Sequence, residues 1–265
     1  MKLSIKTGAA LVGVLATMAA PAQADSVKRI QVSGAQLASL LAPTATAAAA
    51  FGSPLAWGAS WGDAGVGLFG QTLEGAEDDV DGGLGFVFGL GDANKAVGLE
   101  TSLALSSLTG SSGGDDGFGD SGSFSLKLHT VLPGGAAFAV GLANIGRFGD
   151  DNDAARSSVF AVASKAIPLS IGSSTNTLVL NLGVGDNGFV DPGEEGAGLF
   201  GSAAFYFTQQ ISAIVDYTGR FTNVGLSVAP LKKYPLTITA GAINVGEENG
   251  IDTEFGASIG YGFKF

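Results

Sequence analysis

The sequence has no cysteine, few charges and only one histidine, and these shortages exclude several classes of protein. A chain of 265 residues without cysteine is not a disulfide scaffold. Only 14% of its residues are charged, and 13 Lys and Arg stand against 24 Asp and Glu, for a net charge of −11. Because nucleic-acid binding needs a basic surface, this balance argues against a nucleic-acid partner.

Long apolar runs are also missing, although the mean hydropathy is +0.35. Beyond the first 24 residues, no apolar stretch reaches the ~18 to 20 residues of a transmembrane helix. What the chain has in excess is glycine, at 43 residues. Its apolar residues are therefore spread over many short segments.

The first 24 residues have the pattern of an export signal. Lys2 and Lys6 precede an apolar stretch at residues 7–20, and Ala22 and Ala24 form a small-x-small cleavage site. We therefore predict a signal peptide at residues 1–24. Its removal would take the net charge from −11 to −13.

Apolar residues recur at every second position along most of the chain, which is the pattern of β-strands with one apolar face. About twelve such segments are expected, with 14 as the alternative if Trp57 and Trp61 extend or add a strand. The clearest segments are 84–90, 97–105, 124–132 and 178–184, and the others lie near 64–72, 135–145, 157–166, 198–207, 210–219, 223–229, 235–245 and 254–265.

The connections between these strands favour a barrel over a β-sandwich. Long acidic connections alternate with short or less acidic ones, and 18 of the 24 acidic residues lie in five of them: 73–82, 109–120, 147–156, 186–197 and 246–253. If the strands run up and down, every second connection emerges at the same end. Long loops at one end, short turns at the other and an apolar outer face are typical of a transmembrane antiparallel up-and-down β-barrel.

The last strand ends in "YGFKF", with Tyr261, Phe263 and the terminal Phe265 on one face. With this ending, residues 56–265 resemble Gram-negative outer-membrane β-barrels of the porin-like kind. The resemblance implies location in the outer membrane, contact with its lipid and lipopolysaccharide, and recognition of Tyr261, Phe263 and Phe265 by the barrel-assembly machinery. We assign the barrel to residues 55–265.

Residues 25–54 differ from the rest, because they are rich in alanine and lack the alternation. They favour a short, partly helical segment broken at Pro43. Two interpretations remain open for this segment, a periplasmic lead-in and a plug in the lumen of the barrel.

Five titratable residues are expected to face the lumen, since they alternate with the apolar positions: Glu100, Lys127, His129, Asp216 and Glu254. Pairing of the strands around 96–132 would bring Glu100 close to Lys127 and His129. With Ser102 or Ser125 this suggests a hydrolase site, but charge compensation inside a narrow barrel is the better explanation. We therefore predict no catalytic residues and no enzymatic activity.

The acidic loops include Asp78, Asp79 and Asp81 in one and Asp150, Asp151 and Asp153 in another. Neither has the spacing of a calcium-binding loop. We predict no cofactor and no discrete metal site, with Mg²⁺ or Ca²⁺ bound unspecifically at the acidic loops.

Small residues dominate the predicted inward positions, among them Gly85, Ser102, Ser125 and Gly241. A barrel of twelve strands lies between those filled by side chains and those with open channels. The sequence thus predicts a narrow porin-like channel for ions or small solutes. The alternative is a non-conducting structural or surface-contact barrel with an acidic extracellular rim.

Overall fold

The computed structural model is a closed β-barrel of twelve antiparallel strands in which each strand pairs with its neighbours in sequence and β1 pairs with β12. It describes residues 45–72, 80–106, 121–149, 156–191 and 193–265. The strands are β1 (Asp63–Thr72), β2 (Val80–Gly91), β3 (Gly98–Ser106), β4 (Ser121–Leu132), β5 (Ala136–Ala143), β6 (Ser158–Ile171), β7 (Ser174–Asp186), β8 (Ala197–Thr208), β9 (Ile211–Tyr217), β10 (Thr222–Val228), β11 (Leu236–Ile243) and β12 (Glu254–Lys264).

The expected all-β barrel of twelve strands is confirmed, and Trp57 and Trp61 add no strand. The connections 92–97, 133–135, 172–173, 209–210 and 229–235 lie at one end of the barrel, the turn end. Strands β1, β3, β5, β7, β9 and β11 end at the opposite end of the barrel, the loop end. Phe265 follows β12 at the turn end.

Alternate residues of each strand face opposite sides of the wall, as strand geometry requires. In β4, for example, Leu128 is exposed while Lys127 and His129 are buried. Within the described strands, charge on the outer face is limited to Lys165, where the pairing of β6 with β5 ends, and Asp186, the last residue of β7. The period of two read from the sequence therefore sorts the side chains as predicted.

The hairpin of β6 and β7 extends beyond its neighbours at the turn end. The pairing of β6 with β5 ends at Lys165, whereas its pairing with β7 continues to Ile171. Pro168 lies in this extension although it has no N–H to donate. Ala166 N donates towards β5, to Gly135 O, and position 168 points the same way, past the end of β5. Pro168 is tolerated because it lies on a free edge.

Residues 45–62, which precede β1, lie largely inside the barrel. Nearly all of residues 45–59 are buried, and the segment contains no helix. Its backbone groups bond to side chains of the wall instead of to each other, which is why the helical interpretation does not hold for residues 45–54. Residues 25–44, and the export signal, lie outside the described residues.

Two 3-10 turns, Asn187–Phe189 and Glu248–Gly250, lie in connections at the loop end. In the described part of the chain, no helix is both long and apolar enough to cross a bilayer.

Candidate functional site: the occupied lumen

Residues 45–62, which we call the interior segment, form a loop that enters and leaves the lumen at the turn end. Ala47 N donates to Gln209 O in the β8–β9 turn, at 3.0 Å. The segment rises to Ser53 and then descends, until Trp61 N donates to Gly91 O at 2.7 Å. We call residues 45–53 the first limb and residues 54–62 the second limb.

Hydroxyl groups of the wall hold the first limb by its backbone. Its four consecutive carbonyls at residues 46–49 each accept a hydrogen bond, from Thr237, Tyr206, Ser212 and Ser202 in that order, at 2.6 to 3.0 Å. These donors lie on β8, β9 and β11. They bind the backbone carbonyls of the first limb and not its side chains. An alanine-rich sequence satisfies such a site, since small side chains leave the backbone accessible.

Asp216 on β9 holds the top of the first limb. Its carboxylate accepts hydrogen bonds from Phe51 N at 3.0 Å, from Ser53 N at 3.1 Å and from Ser53 Oγ at 2.7 Å. Asp216 is fully buried, at 0% exposure. On the neighbouring strand, Asn223 donates from Nδ2 to Phe51 O at 3.4 Å.

Charged side chains hold the second limb. Lys127 Nζ lies 3.1 Å from Glu100 Oε1 and donates to Leu55 O at 3.2 Å and Trp57 O at 2.9 Å. Glu100 Oε2 accepts from Ala59 N at 2.9 Å. This pair is buried, and its hydrogen bonds to the segment offset part of the cost of removing both charges from water.

His129 lies beside this pair and donates from Nε2 to Ala59 O at 2.8 Å. The register places Ser125 four residues away along β4, about 13 Å at ~3.3 Å per residue. Ser102 pairs with Ser125 and is equally remote. The serine, histidine and carboxylate of the hydrolase hypothesis are therefore not brought together.

Glycines allow the second limb to approach the wall closely. A Cβ atom at Gly89 would lie 2.3 Å from Ser60 O, and one at Gly58 would lie 2.7 Å from the His129 ring. Any larger residue at either position requires the backbone or the ring to move. The second limb is thus fitted to its side of the lumen.

A separate cluster of aromatic residues lies in the lumen near the loop end, on the side formed by β6, β7 and β8. Phe189, from the 3-10 turn after β7, stacks on Phe200 at 4.4 Å between ring centroids, and Phe160 contacts both. Cβ atoms at Gly185, Gly198 or Gly219 would overlap Phe189. We call Phe160, Phe189 and Phe200 the aromatic cap. Beside it, burial lowers the pKa of Arg220, whose guanidinium lies 5.2 Å from the Phe221 ring.

The terminal aromatic residues lie on the outer face at the turn end. Phe265 stacks on Phe88 at 5.9 Å and contacts the Trp61 ring at 6.1 Å, while Tyr261 contacts Phe263 at 5.0 Å. Phe265 N also donates to Gly62 O at 2.9 Å. The last residue of the interior segment therefore meets the last residue of the chain.

The fifth predicted lumen charge, Glu254, is buried at the start of β12, far from the clamp formed by Glu100 and Lys127. A plug formed by residues 25–54 was one of the two interpretations that the sequence left open. It gave no indication that Glu100, Lys127, His129 and Asp216 bind the backbone of residues 51–59. The inward serines carried that signal, although they were interpreted only as small lining residues.

Among the described residues, no group of three His, Asp or Glu side chains is arranged to hold a metal ion. The two acidic motifs, at 78–81 and 150–153, lie outside the residues whose side chains are described. At the turn end, the ammonium of Lys95 lies 2.9 Å from Asp92 and holds the pKa of that carboxyl below its usual value.

No family model and no curated protein matches the chain. Among solved structures, the N-terminal β-barrel domain of Pseudomonas aeruginosa OprF is similar over 77% of this chain and 98% of that one. The two are 12% identical, with a TM-score of 0.19. At this level the similarity carries neither the fold nor a function to this chain.

Proposed function

We propose that the protein is a porin-like barrel of the Gram-negative outer membrane that its own residues 45–62 close. Ions or small solutes pass when the first limb leaves the lumen through the turn end. The protein has no enzymatic activity in this proposal.

The outer face supports a membrane location. Large apolar side chains are exposed on it, among them Leu68, Phe86, Val140, Leu182, Val215 and Ile259. Exposed aromatic residues lie near both ends, Phe207, Tyr234 and Phe263 at the turn end and Phe148, Tyr217 and Phe255 at the loop end. An apolar band between two aromatic girdles is typical of transmembrane barrels.

The polar lining under the first limb is the observation that carries the channel proposal. A barrel filled permanently would be stabilised best by apolar side chains, because buried polar groups cost free energy unless every one is paired. Here Ser202, Ser212, Thr237 and Asp216 all pair with the backbone of the first limb. Water can take over these bonds when the segment leaves.

Planar-bilayer recordings test the proposal. The mature chain, refolded in detergent, is compared with a chain that begins at Pro54 and lacks the first limb. The full chain should be closed most of the time and the shortened chain should conduct steadily. A shortened chain that folds, by its heat-modifiable migration in gels, and never conducts would overturn the channel proposal.

The aromatic cap favours a second candidate, a structural barrel that never conducts. The rings of Phe189 and Phe200 pack against each other and against Gly185 and Gly183 of β7, and these ring contacts offer no hydrogen-bonding groups for water to solvate. In this case the acidic loops contact lipopolysaccharide, with Mg²⁺ or Ca²⁺ between the charges. Absence of conduction in both chains is the result that supports it.

The remaining proposals concern export and assembly. Residues 1–24 act as a signal peptide, and the barrel-assembly machinery recognises Tyr261, Phe263 and Phe265. Loss of Phe265 should leave export intact and reduce insertion, which heat-modifiable migration measures.

A further inference from the structure

Asp216 is a buried carboxylate without a cationic partner among the described residues. All of its hydrogen bonds come from the first limb, through Phe51 N, Ser53 N and Ser53 Oγ. The other central carboxylate, Glu100, is instead paired with Lys127 at 3.1 Å. The two acidic groups are therefore compensated in different ways, one by a cation of the wall and the other by the segment.

Withdrawal of the first limb removes every one of these donors at once. The register places Ser202 of β8 and Asn223 of β10 on either side of Asp216. Both side chains carry oxygen atoms, and Ser212 lies on the same face of β9. An anionic oxygen with neutral oxygens beside it is the ligand set that hard cations prefer.

We propose that Asp216, with Ser202 and Asn223, is a cation site of the lumen, and that the N–H groups of Phe51 and Ser53 occupy it when the barrel is closed. Cations and the first limb then compete for one carboxylate. This inference rests on the proposed function, because it requires a state in which the first limb has left.

Two properties follow from the competition. The part of the lumen that opens then exposes the negative charge of Asp216, whereas Lys127 compensates Glu100 under the second limb, so the open barrel prefers cations. In addition, cations stabilise only the state without the first limb, and they therefore favour opening.

The test uses the chain that begins at Pro54, alone and with Asp216→Asn. Glu195→Gln, at an exposed position of the β7–β8 loop, is the matched control, since it removes the same charge outside the lumen. Reversal potentials in a KCl gradient should show a cation preference that Asp216→Asn reduces several-fold and Glu195→Gln leaves unchanged. Equal selectivity in the Asp216→Asn and control chains would overturn the site.

A second measurement does not depend on conduction. Addition of CaCl₂ should raise the thermal midpoint of the shortened chain in detergent. Part of this rise should depend on Asp216, so that Asp216→Asn abolishes it and Glu195→Gln retains it. The full chain should lack that part, because its first limb occupies the site. An equal Asp216-dependent rise in the full chain would refute the competition.

If the shortened chain does not fold, the full chain with Phe51→Pro and Ser53→Pro replaces it, because proline removes both backbone donors. A Ca²⁺ response that depends on Asp216 in a barrel that never conducts would keep the site and reject the channel. Conduction without any effect of Asp216→Asn would do the reverse.

Discussion

The first limb and the aromatic cap both lie in the lumen, but they are held there by opposite means. The first limb is an extended backbone held by hydroxyls and one carboxylate of the wall. The cap consists of aromatic rings packed against glycines. Water can replace hydrogen bonds to a backbone at little net cost, whereas it cannot replace apolar packing. The cap is therefore suited to permanent stability, and the first limb to reversible removal.

The largest effect should come from breaking the cap. Phe200 is 1% exposed and contacts both other rings. Phe200→Ala should lower the free energy of unfolding by about 3 to 5 kcal/mol, the usual range for a buried phenylalanine. Urea unfolding in detergent micelles measures this loss.

The same variant should leave the conductance of the full chain unchanged, because the first limb still fills the lumen below the cap. Steady conduction by Phe200→Ala would show that the cap, and not the first limb, is the closure. The contrast between the two regions would then be reversed.

The second limb offers a comparison between charge and hydrogen bonding. Lys127→Met leaves Glu100 buried without its cation, and loss of one partner of a buried pair costs about 3 to 5 kcal/mol. The double variant with Glu100→Gln should recover most of this loss, since no unpaired charge remains. Urea unfolding of the wild type, the two single variants and the double variant gives the coupling free energy of the pair. If the losses of the two single variants simply add in the double variant, the structure is contradicted.

The strands of the barrel could be predicted from the sequence better than the segment inside it. The strands follow from a period of two, and the inward positions of Glu100, Lys127 and Asp216 follow from the same period. The segment that binds them has no period, because these side chains bind it through backbone carbonyl and N–H groups, which almost every residue type carries. The glycine at position 89 faces the backbone of residues 59 and 60, a contact between elements that no local pattern encodes.

The outer face provides a third comparison, because we expect its side chains to contact hydrocarbon, whereas those of the lumen contact polar groups. Leu126 lies on the outer face near the middle of β4, next to the inward Lys127. Leu126→Arg should cost about 2 to 4 kcal/mol in lipid vesicles, as for arginine near the midplane of a membrane barrel. Leu126→Ala controls for lost packing. An arginine variant as stable as the alanine variant would show that this face does not meet hydrocarbon.

The smallest effect on stability, and the sharpest test of the comparison, should come from the hydroxyls under the first limb. Ser212 Oγ donates to Ala48 O at 2.6 Å, and Ser212→Ala should lower the free energy of unfolding by only about 0.5 to 1.5 kcal/mol. This loss falls entirely on the closed state, because water satisfies the Ala48 carbonyl once the first limb has left. The ratio of open to closed barrels should therefore rise about twofold to tenfold, since 1.4 kcal/mol is a factor of ten. Single-channel recordings of the full chain measure this ratio, with Ser170→Ala in the exposed part of the β6–β7 hairpin as the control. Equal opening in both variants would mean that the hydroxyls do not hold the barrel closed.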